Sequence, residues 1–283
     1  MKQTLKRAWT VTLGNPQLKI GLVLLCILLL VALFAPVIAP YDPYFMSDEL
    51  VEAPSALHPL GTDGLGRDIL SMLIFGTRTS LVVGVTAAFI AGIIGTLIGG
   101  VAGYFGGKVD AVLGELINVF MMMPTFFLVL IVVALFGSGL FNVMVVMGLT
   151  SWVSNAKLMR AQAMSLRQRT FVRSAEAIGE GRLLILFRHV VPNGIFPIIA
   201  NTTMGIASAI LTESSLAFLG LGDPNVISWG QVIQSGKSYL TNGWWICLFG
   251  GLAIIYTVVT FYLIGDGLNR VLSPKLRNLG KEG

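Results

Sequence analysis

Residues 116–156 read LINVFMMMPTFFLVLIVVALFGSGLFNVMVVMGLTSWVSNA, 41 positions without a charged side chain. At about 1.5 Å per residue a helix of that length reaches about 60 Å, twice the hydrocarbon core of a bilayer. The stretch therefore holds two spanning helices, with Gly137-Ser138-Gly139 as the break between them. Four further charge-free blocks flank it: Ile20 to Ala39, Thr79 to Gly107, Val190 to Thr212 and Ser238 to Gly265. Six helices are predicted, over about 18–40, 79–104, 112–136, 140–157, 195–220 and 244–268.

Composition agrees. Hydrophobic residues make up 55% of the 283 and charged residues 12%, with mean hydropathy +0.82. A soluble domain carries about 25% charged residues. Half that share cannot coat a water-facing surface, which excludes a soluble enzyme and a disordered chain. A transmembrane barrel would alternate apolar and polar residues with a period of two, and these blocks do not. The fold class is an all-α integral membrane protein.

Six spans leave both termini on one side. That side carries 16 of the 19 Lys and Arg residues; the other carries Arg67, Arg78 and Lys237. The positive-inside bias assigns the termini to the cytoplasm. It also accounts for the +5 formal charge, so no nucleic-acid partner is expected. The divisions are a cytoplasmic segment 1–17, the first span 18–40, an outer loop 41–78 with an interfacial helix, a five-helix core 79–268 that includes a cytoplasmic loop 158–194, and a tail 269–283. The first apolar block is longer than a signal-peptide core of about 7–15 residues and is read as a retained helix.

Several residues stand out as candidate sites. The outer loop holds His58-Pro-Leu-Gly-Thr-Asp-Gly-Leu-Gly-Arg-Asp68, with Asp68 placed to cap a short helix over Ile69–Gly76. Asp63, Arg67 and Asp68, with Trp229 from a later loop, are candidates for docking an external partner; the alternative is a folded turn that seats the next span. Gly95, Gly99 and Gly103 form a small-xxx-small face for close helix packing. Pro124, after Met122 and Met123, can kink its helix and makes those three pathway candidates. Glu213 is the one clear ionisable residue within a span; it is a pathway group near the outer mouth or a cap for a neighbouring helix. The segment 157–189 holds seven basic residues, with Phe171, Val172, Ala175, Ile178 and Gly179 as an apolar stripe on a short amphipathic helix over about 170–180. Such a helix lies on anionic lipid or docks in a partner's groove.

Other chemistry is missing. Gly236-Lys237-Ser238 lacks the first glycine of a phosphate-binding loop at the required spacing. Cys26 and Cys247 lie within predicted spans, and the two histidines fall on opposite sides, so no metal motif is expected. Asn201-Thr-Thr matches a glycosylation acceptor but lies inside a span. A secondary transporter would need midplane carboxylates or paired broken helices, and a membrane enzyme would need convergent polar groups. Neither pattern is evident.

The run Phe171-Val-Arg-Ser-Ala-Glu-Ala-Ile-Gly179, followed by Phe187-Arg-His-Val-Val-Pro-Asn193, resembles the cytoplasmic EAA loop of ABC importer permeases. Gly179 and Pro192 match in separation; Arg173 and Ser174 depart from the usual Glu-Ala. The 58–68 run, Pro124-Thr-Phe-Phe127, Glu213-x-Ser-Leu-x-Phe-Leu-Gly-Leu-Gly222 and Ser228-Trp-Gly230 resemble the C-type subunit of the dipeptide and oligopeptide permeases, a family that includes nickel importers. The resemblance implies a type I permease bundle of six spans with a cytoplasmic coupling helix in a bacterial inner membrane. It also implies a second, homologous permease as partner, two cytoplasmic ATPase subunits and an extracytoplasmic peptide-binding protein. ATP and magnesium would be used by the partner subunits, with no cofactor on this chain. The ATPase-coupling residues would be Phe171, Arg173, Ala175, Glu176, Ala177, Gly179, Glu180 and Pro192. The chain would carry a pathway half and a lever, and no chemical step.

Overall fold

Asn15 starts the first helix: its side-chain oxygen accepts from the N–H groups of Gln17 and Leu18, and Pro16 follows where a missing N–H costs nothing. The computed structural model describes residues 15–272; what the sequence suggests for 1–14 and 273–283 lies outside the described residues. Helix α1 spans Pro16–Ile38 and carries Pro36 inside it. A proline leaves the carbonyl four residues earlier without its donor. That carbonyl is Ala32's, and Arg78 Nε donates to it, while Arg78 Nη2 donates to Leu33 O at 2.9 Å.

Helix α2, Ile69–Phe105, is one 37-residue element. The expected interfacial helix over 69–76 is therefore not separate from the span. Nothing between Gly76 and Thr79 interrupts the ladder: Thr77 Oγ1 donates back to Leu73 O, and Arg78 discharges on the α1 carbonyls.

The expected span 112–136 is likewise corrected. It divides into α3, Gly107–Met122, and α4, Thr125–Phe136, bent by 81°. Proline forces its predecessor out of the helical region, and Met123 sits at φ −88°, ψ 121°. The expected span 140–157 divides into α5, Leu140–Thr150, and α6, Val153–Arg167, at Ser151-Trp152.

Next come α7, Thr170–Ala177, and α8, Arg182–Ile185. A π-helical turn, Leu186–Val190, leads into α9, Val191–Gly194. The π turn follows from Pro192. Val191 N–H reaches back to Leu186 O, five residues away, a wider turn that makes room for the proline ring. Helix α10, Phe196–Phe218, leaves this segment at 63°. Helix α11, Trp229–Gly236, a 3₁₀ turn, Lys237–Tyr239, and α12, Trp244–Leu272, complete the described chain.

Among the described residues three helices, α1, α2 and α12, are each long and apolar enough to cross a bilayer, and the two bent pairs raise the number to as many as five. The eleven residues of α5 reach only about 16 Å, too short to cross alone.

Helix α2 is the axis of the bundle, and glycine decides what lies against it. A Cβ on Gly95 would sit 2.5 Å from Asn155 Cβ, one on Gly99 would overlap Ala156 O, and one on Gly103 would overlap Arg160 O. The backbones of α2 and α6 thus touch along three turns, the close approach that small residues permit in lipid. Gly84 makes room for the side chain of Ile210 of α10. Helix α1 sits outside, its exposed Ile20, Val23, Leu33 and Val37 forming a face suited to acyl chains.

Candidate translocation and coupling sites

Helix α7 is held against the bundle along one edge. Val172 and Ala175, three apart, are buried against Tyr104, Met159, Ile185 and Val190. Phe171 and Ile178, expected on the same apolar stripe, point away instead; Ile178 is 82% exposed. At about 100° per residue Val172 and Ala175 lie on one side of the stripe and Phe171 and Ile178 on the other, so the helix grips the bundle with one edge and presents the other. Arg173, Ala177 and Gly179 are also exposed. Gly179, at φ +84°, ends the helix in the left-handed region that glycine enters without strain. Two clasps fix the segment. Tyr104 OH of α2 donates to Glu176 at 3.1 Å. Glu180 pairs with His189 Nε2 at 2.9 Å, with Arg188 at 3.7 Å. Asn193 Nδ2 donates to His189 O at 2.7 Å beside Pro192. These contacts tie α7 to α2 and to the turn that leads into α10. A further tie nearby, the paired hydrogen bonds of Arg160 to Asp110 at 2.5 and 2.7 Å, joins α6 to α3.

A second site lies inside the bundle. Ala87, Ala88 and Ala91 of α2, Ser151, Ser154 and Asn155 around the α5–α6 break, and Asn201, Thr202, Ser208 and Thr212 of α10 line a cleft of about 200 Å³. Broken backbone at membrane depth is tolerated where it is buried in protein or faces a water-filled cavity. Here the break opens on a cavity wall rich in amides and hydroxyls. Asn201 Nδ2 donates to Asn155 Oδ1 at 2.8 Å and to Ser154 Oγ at 3.2 Å. A search of the spans for charge alone does not find these residues. Two asparagines and a run of hydroxyls inside charge-free blocks are the signal that the sequence does offer.

The pathway candidates lie elsewhere. Met122, 83% exposed, Met123 and Pro124 sit on the outside of the bundle at the α3–α4 bend and do not line this cleft. Glu213 is 5% exposed, so it is not a solvated mouth residue. It accepts from Ser228 Oγ at 2.6 Å and Ser214 Oγ at 3.3 Å. Ser228 is the N-cap of α11, so Glu213 holds that helix onto α10.

The external docking set also needs correction. Asp63 is buried, accepting from Arg67 Nε and Nη2 at 2.9 and 2.6 Å and from the N–H groups of Leu65 and Arg67. Asp68 is buried as the α2 cap, accepting from Ser71 N–H at 2.8 Å. Trp229 is buried too, donating from Nε1 to Leu73 O at 3.1 Å. The hydrogen bonds of the turn point both carboxylates inward, and the packing of α11 on α2 does the same for the indole. The loop exposes a group of apolar side chains, Tyr44, Phe45, Met46, Leu50, Leu57 and Leu65, beside the exposed carboxylates of Asp42, Asp48 and Glu49. His58 lies beneath it, Nδ1 2.9 Å from Asp68 and Nε2 3.0 Å from Glu49. Glu49, Glu52 and His58 could each offer an atom to a cation, yet both ring nitrogens are already engaged.

Apolar helices around a polar cleft, with a short amphipathic helix packed on the bundle by one edge, are the architecture of a membrane transport component. Comparison of the sequence with known families agrees. The chain belongs to the family described as "binding-protein-dependent transport system inner membrane component", whose model matches residues 95–278. Residues 4–57 match the "N-terminal TM domain of oligopeptide transport permease C". The di/tripeptide transport system permease protein of Pseudomonas aeruginosa is 36% identical over 282 residues, covering 97% of this chain and 93% of that one. The glutathione transport system permease protein of Pectobacterium atrosepticum is 39% identical over 89% of this chain and 85% of that one. The probable D,D-dipeptide transport system permease protein of Escherichia coli is 34% identical over 93% and 89%. Membership makes the chain an inner-membrane transport component rather than an enzyme, and implies an ATPase and a substrate-binding protein as partners.

Proposed function

We propose that the chain is one of two homologous permease subunits of an ATP-driven importer of short peptides. Both termini and α7 face the cytoplasm, where two ATPase subunits seat on the short helices of the two permeases, α7 in this chain. A peptide-binding protein delivers its cargo to the exposed face of the 41–68 loop. The observation that carries this reading is α7 itself: it is gripped by Val172 and Ala175 and offers Phe171, Arg173 and Ile178 outward. An apolar residue that exposed, on a rigidly clasped helix, fits a protein groove. The peptide assignment is supported by the relatives, whose names specify di- and tripeptides, D,D-dipeptides and glutathione. ATP and magnesium act in the partner subunits, and the chain supplies binding energy, geometry and transmission.

The test is uptake of labelled di-, tri- and pentapeptides, with nickel as control, by cells with and without the gene. Deletion should lower peptide uptake at least tenfold. Unchanged peptide uptake with lost nickel uptake would move the substrate. Complementation with Gly179→Asp or Arg173→Glu should leave the chain in the membrane with ATP hydrolysis uncoupled from transport. Normal transport by both variants would overturn the assignment of α7 to coupling.

A further inference from the structure

The cleft between α2, α6 and α10 has a polarity that the function above does not use. We infer that it binds the C-terminal carboxylate of the travelling peptide, with donors from the start of α6 and from Asn155; this rests on the peptide reading of the transporter.

Of the four N–H groups that open α6, only Ala156's reaches a backbone carbonyl, Trp152 O at 2.9 Å. Those of Val153, Ser154 and Asn155 remain open, and Ser154 and Asn155 line the cleft. A helix N-terminus favours an anion by its open donors and its dipole, and α6 has 15 residues. A second, independent feature lies beside it. Asn155 is 3% exposed, and its Oδ1 accepts from Asn201. Its Nδ2 has no hydrogen-bond partner among the described residues and yet is not among the sealed, unsatisfied buried atoms. Those two facts leave Nδ2 facing the cleft, its donors free. Gly95 allows this, since any side chain there would strike Asn155 Cβ.

The rest of the lining sets the class of ligand. No charged side chain is among it. A free ammonium would meet no carboxylate there, whereas a carboxylate meets amide and backbone donors. Asn201 Oδ1 and the Ser151 and Ser208 hydroxyls complete a wall able to pair with a peptide's last amide. Such a wall reads main chain and end group and is indifferent to side chains. Holding an anion without a countercharge also keeps it weak, as passage requires. The cleft lies at mid-height: Ala88 is about 29 Å along the 37-residue α2.

Two measurements on the assembled transporter test this. The first is photo-crosslinking with a tripeptide whose C-terminal residue carries a diazirine, during turnover with its binding protein and ATP. Adducts should fall in 151–155 or 201–212. Adducts confined to other segments would overturn the site. The second compares uptake of one dipeptide as free acid and as C-terminal amide. Asn155→Asp, isosteric but with an acceptor in place of the donor, should shift the acid-to-amide ratio at least tenfold towards the amide relative to wild type. Taking the ratio against wild type cancels the selectivity of the binding protein. Equal loss for both peptides would make Asn155 merely structural, and unchanged uptake of both would remove the site. A wild-type transporter that imports neither peptide would instead sink the peptide reading itself.

Discussion

At the scale of single residues, the same glycine substitution has opposite signs at two positions, and the difference is what lies in front of the missing Cβ. Gly99 faces Ala156 O so closely that a Cβ would overlap it, and backbone cannot swing away. Gly114, in α3, has nothing within 4 Å. Helix propensity favours alanine over glycine by about 1 kcal/mol at either site. At Gly114 that gain stands alone, so Gly114→Ala should be neutral or stabilise by up to about 1 kcal/mol. At Gly99 it is outweighed by overpacking, which costs about 1–3 kcal/mol, and the separation of α2 from α6 disturbs the cleft wall. Thermal unfolding of the purified chain in mild detergent checks this. A Gly99→Ala variant as stable as Gly114→Ala would mean that the two helices are not in backbone contact.

At the scale of elements, the 39–68 loop is closed by one imidazole. Burial works to lower the pKa of His58, but hydrogen bonds and charge from Asp68 and Glu49 outweigh it and raise the value above the ordinary 6.5. Protonated, the ring donates from both nitrogens, to Asp68 and to Glu49; neutral, it donates from one only. A raised folded-state pKa contributes stability that is complete below about 6.5 and is lost as pH rises through the folded value. The advantage of wild type over His58→Gln, about 1.5–3 kcal/mol for hydrogen bonds to charged groups, should therefore be largest near pH 6 and shrink towards pH 9. Parallel melting curves of the two proteins read it directly, and a gap that widens with pH would refute the clasp. The element scale also shows what a sequence can and cannot convey. Charge-free blocks locate the membrane helices because lipid imposes that pattern on any spanning segment. Asp68 is legible as a cap because capping is local. The α3–α4 bend of 81° exceeds the expected kink, since Pro124 announces a break but not its angle. The cleft is illegible for another reason. Asn155 and Asn201 are 46 positions apart, and only packing through Gly95 and the α5–α6 break brings them together. Trp229 and Asp63 are read as surface residues and prove buried, because burial is a tertiary fact.

At the scale of the whole molecule, the open question is how a peripheral helix is kept on a bundle in lipid, where apolar contact with a neighbour is hardly better than contact with acyl chains. Helix α1 answers with close approach and with polar ties. Gly267 lets Leu18 come close, Tyr256 OH donates to Leu24 O at 3.1 Å, and Arg78 reaches across to Ala32 and Leu33. The last tie has a specific cause, because Pro36 withholds the N–H that Ala32 O would otherwise receive. Arg78 and Pro36 are therefore coupled, and a double-mutant cycle should reveal it. Arg78→Ala leaves a desolvated carbonyl without a donor and should cost about 1–3 kcal/mol. In a Pro36→Ala background, the backbone N–H regained at that position supplies the donor from within the helix, so removing Arg78 should cost at least about 1 kcal/mol less. Protease susceptibility of the loop joining α1 to α2, measured alongside thermal unfolding for all four proteins, separates detachment of α1 from global loss of the fold. Additive losses would mean that Arg78 holds α1 by something other than the proline-freed carbonyl. Coupling would mean that the helix-breaking residue is itself the docking device, since the backbone defect in α1 creates the acceptor by which the bundle holds it.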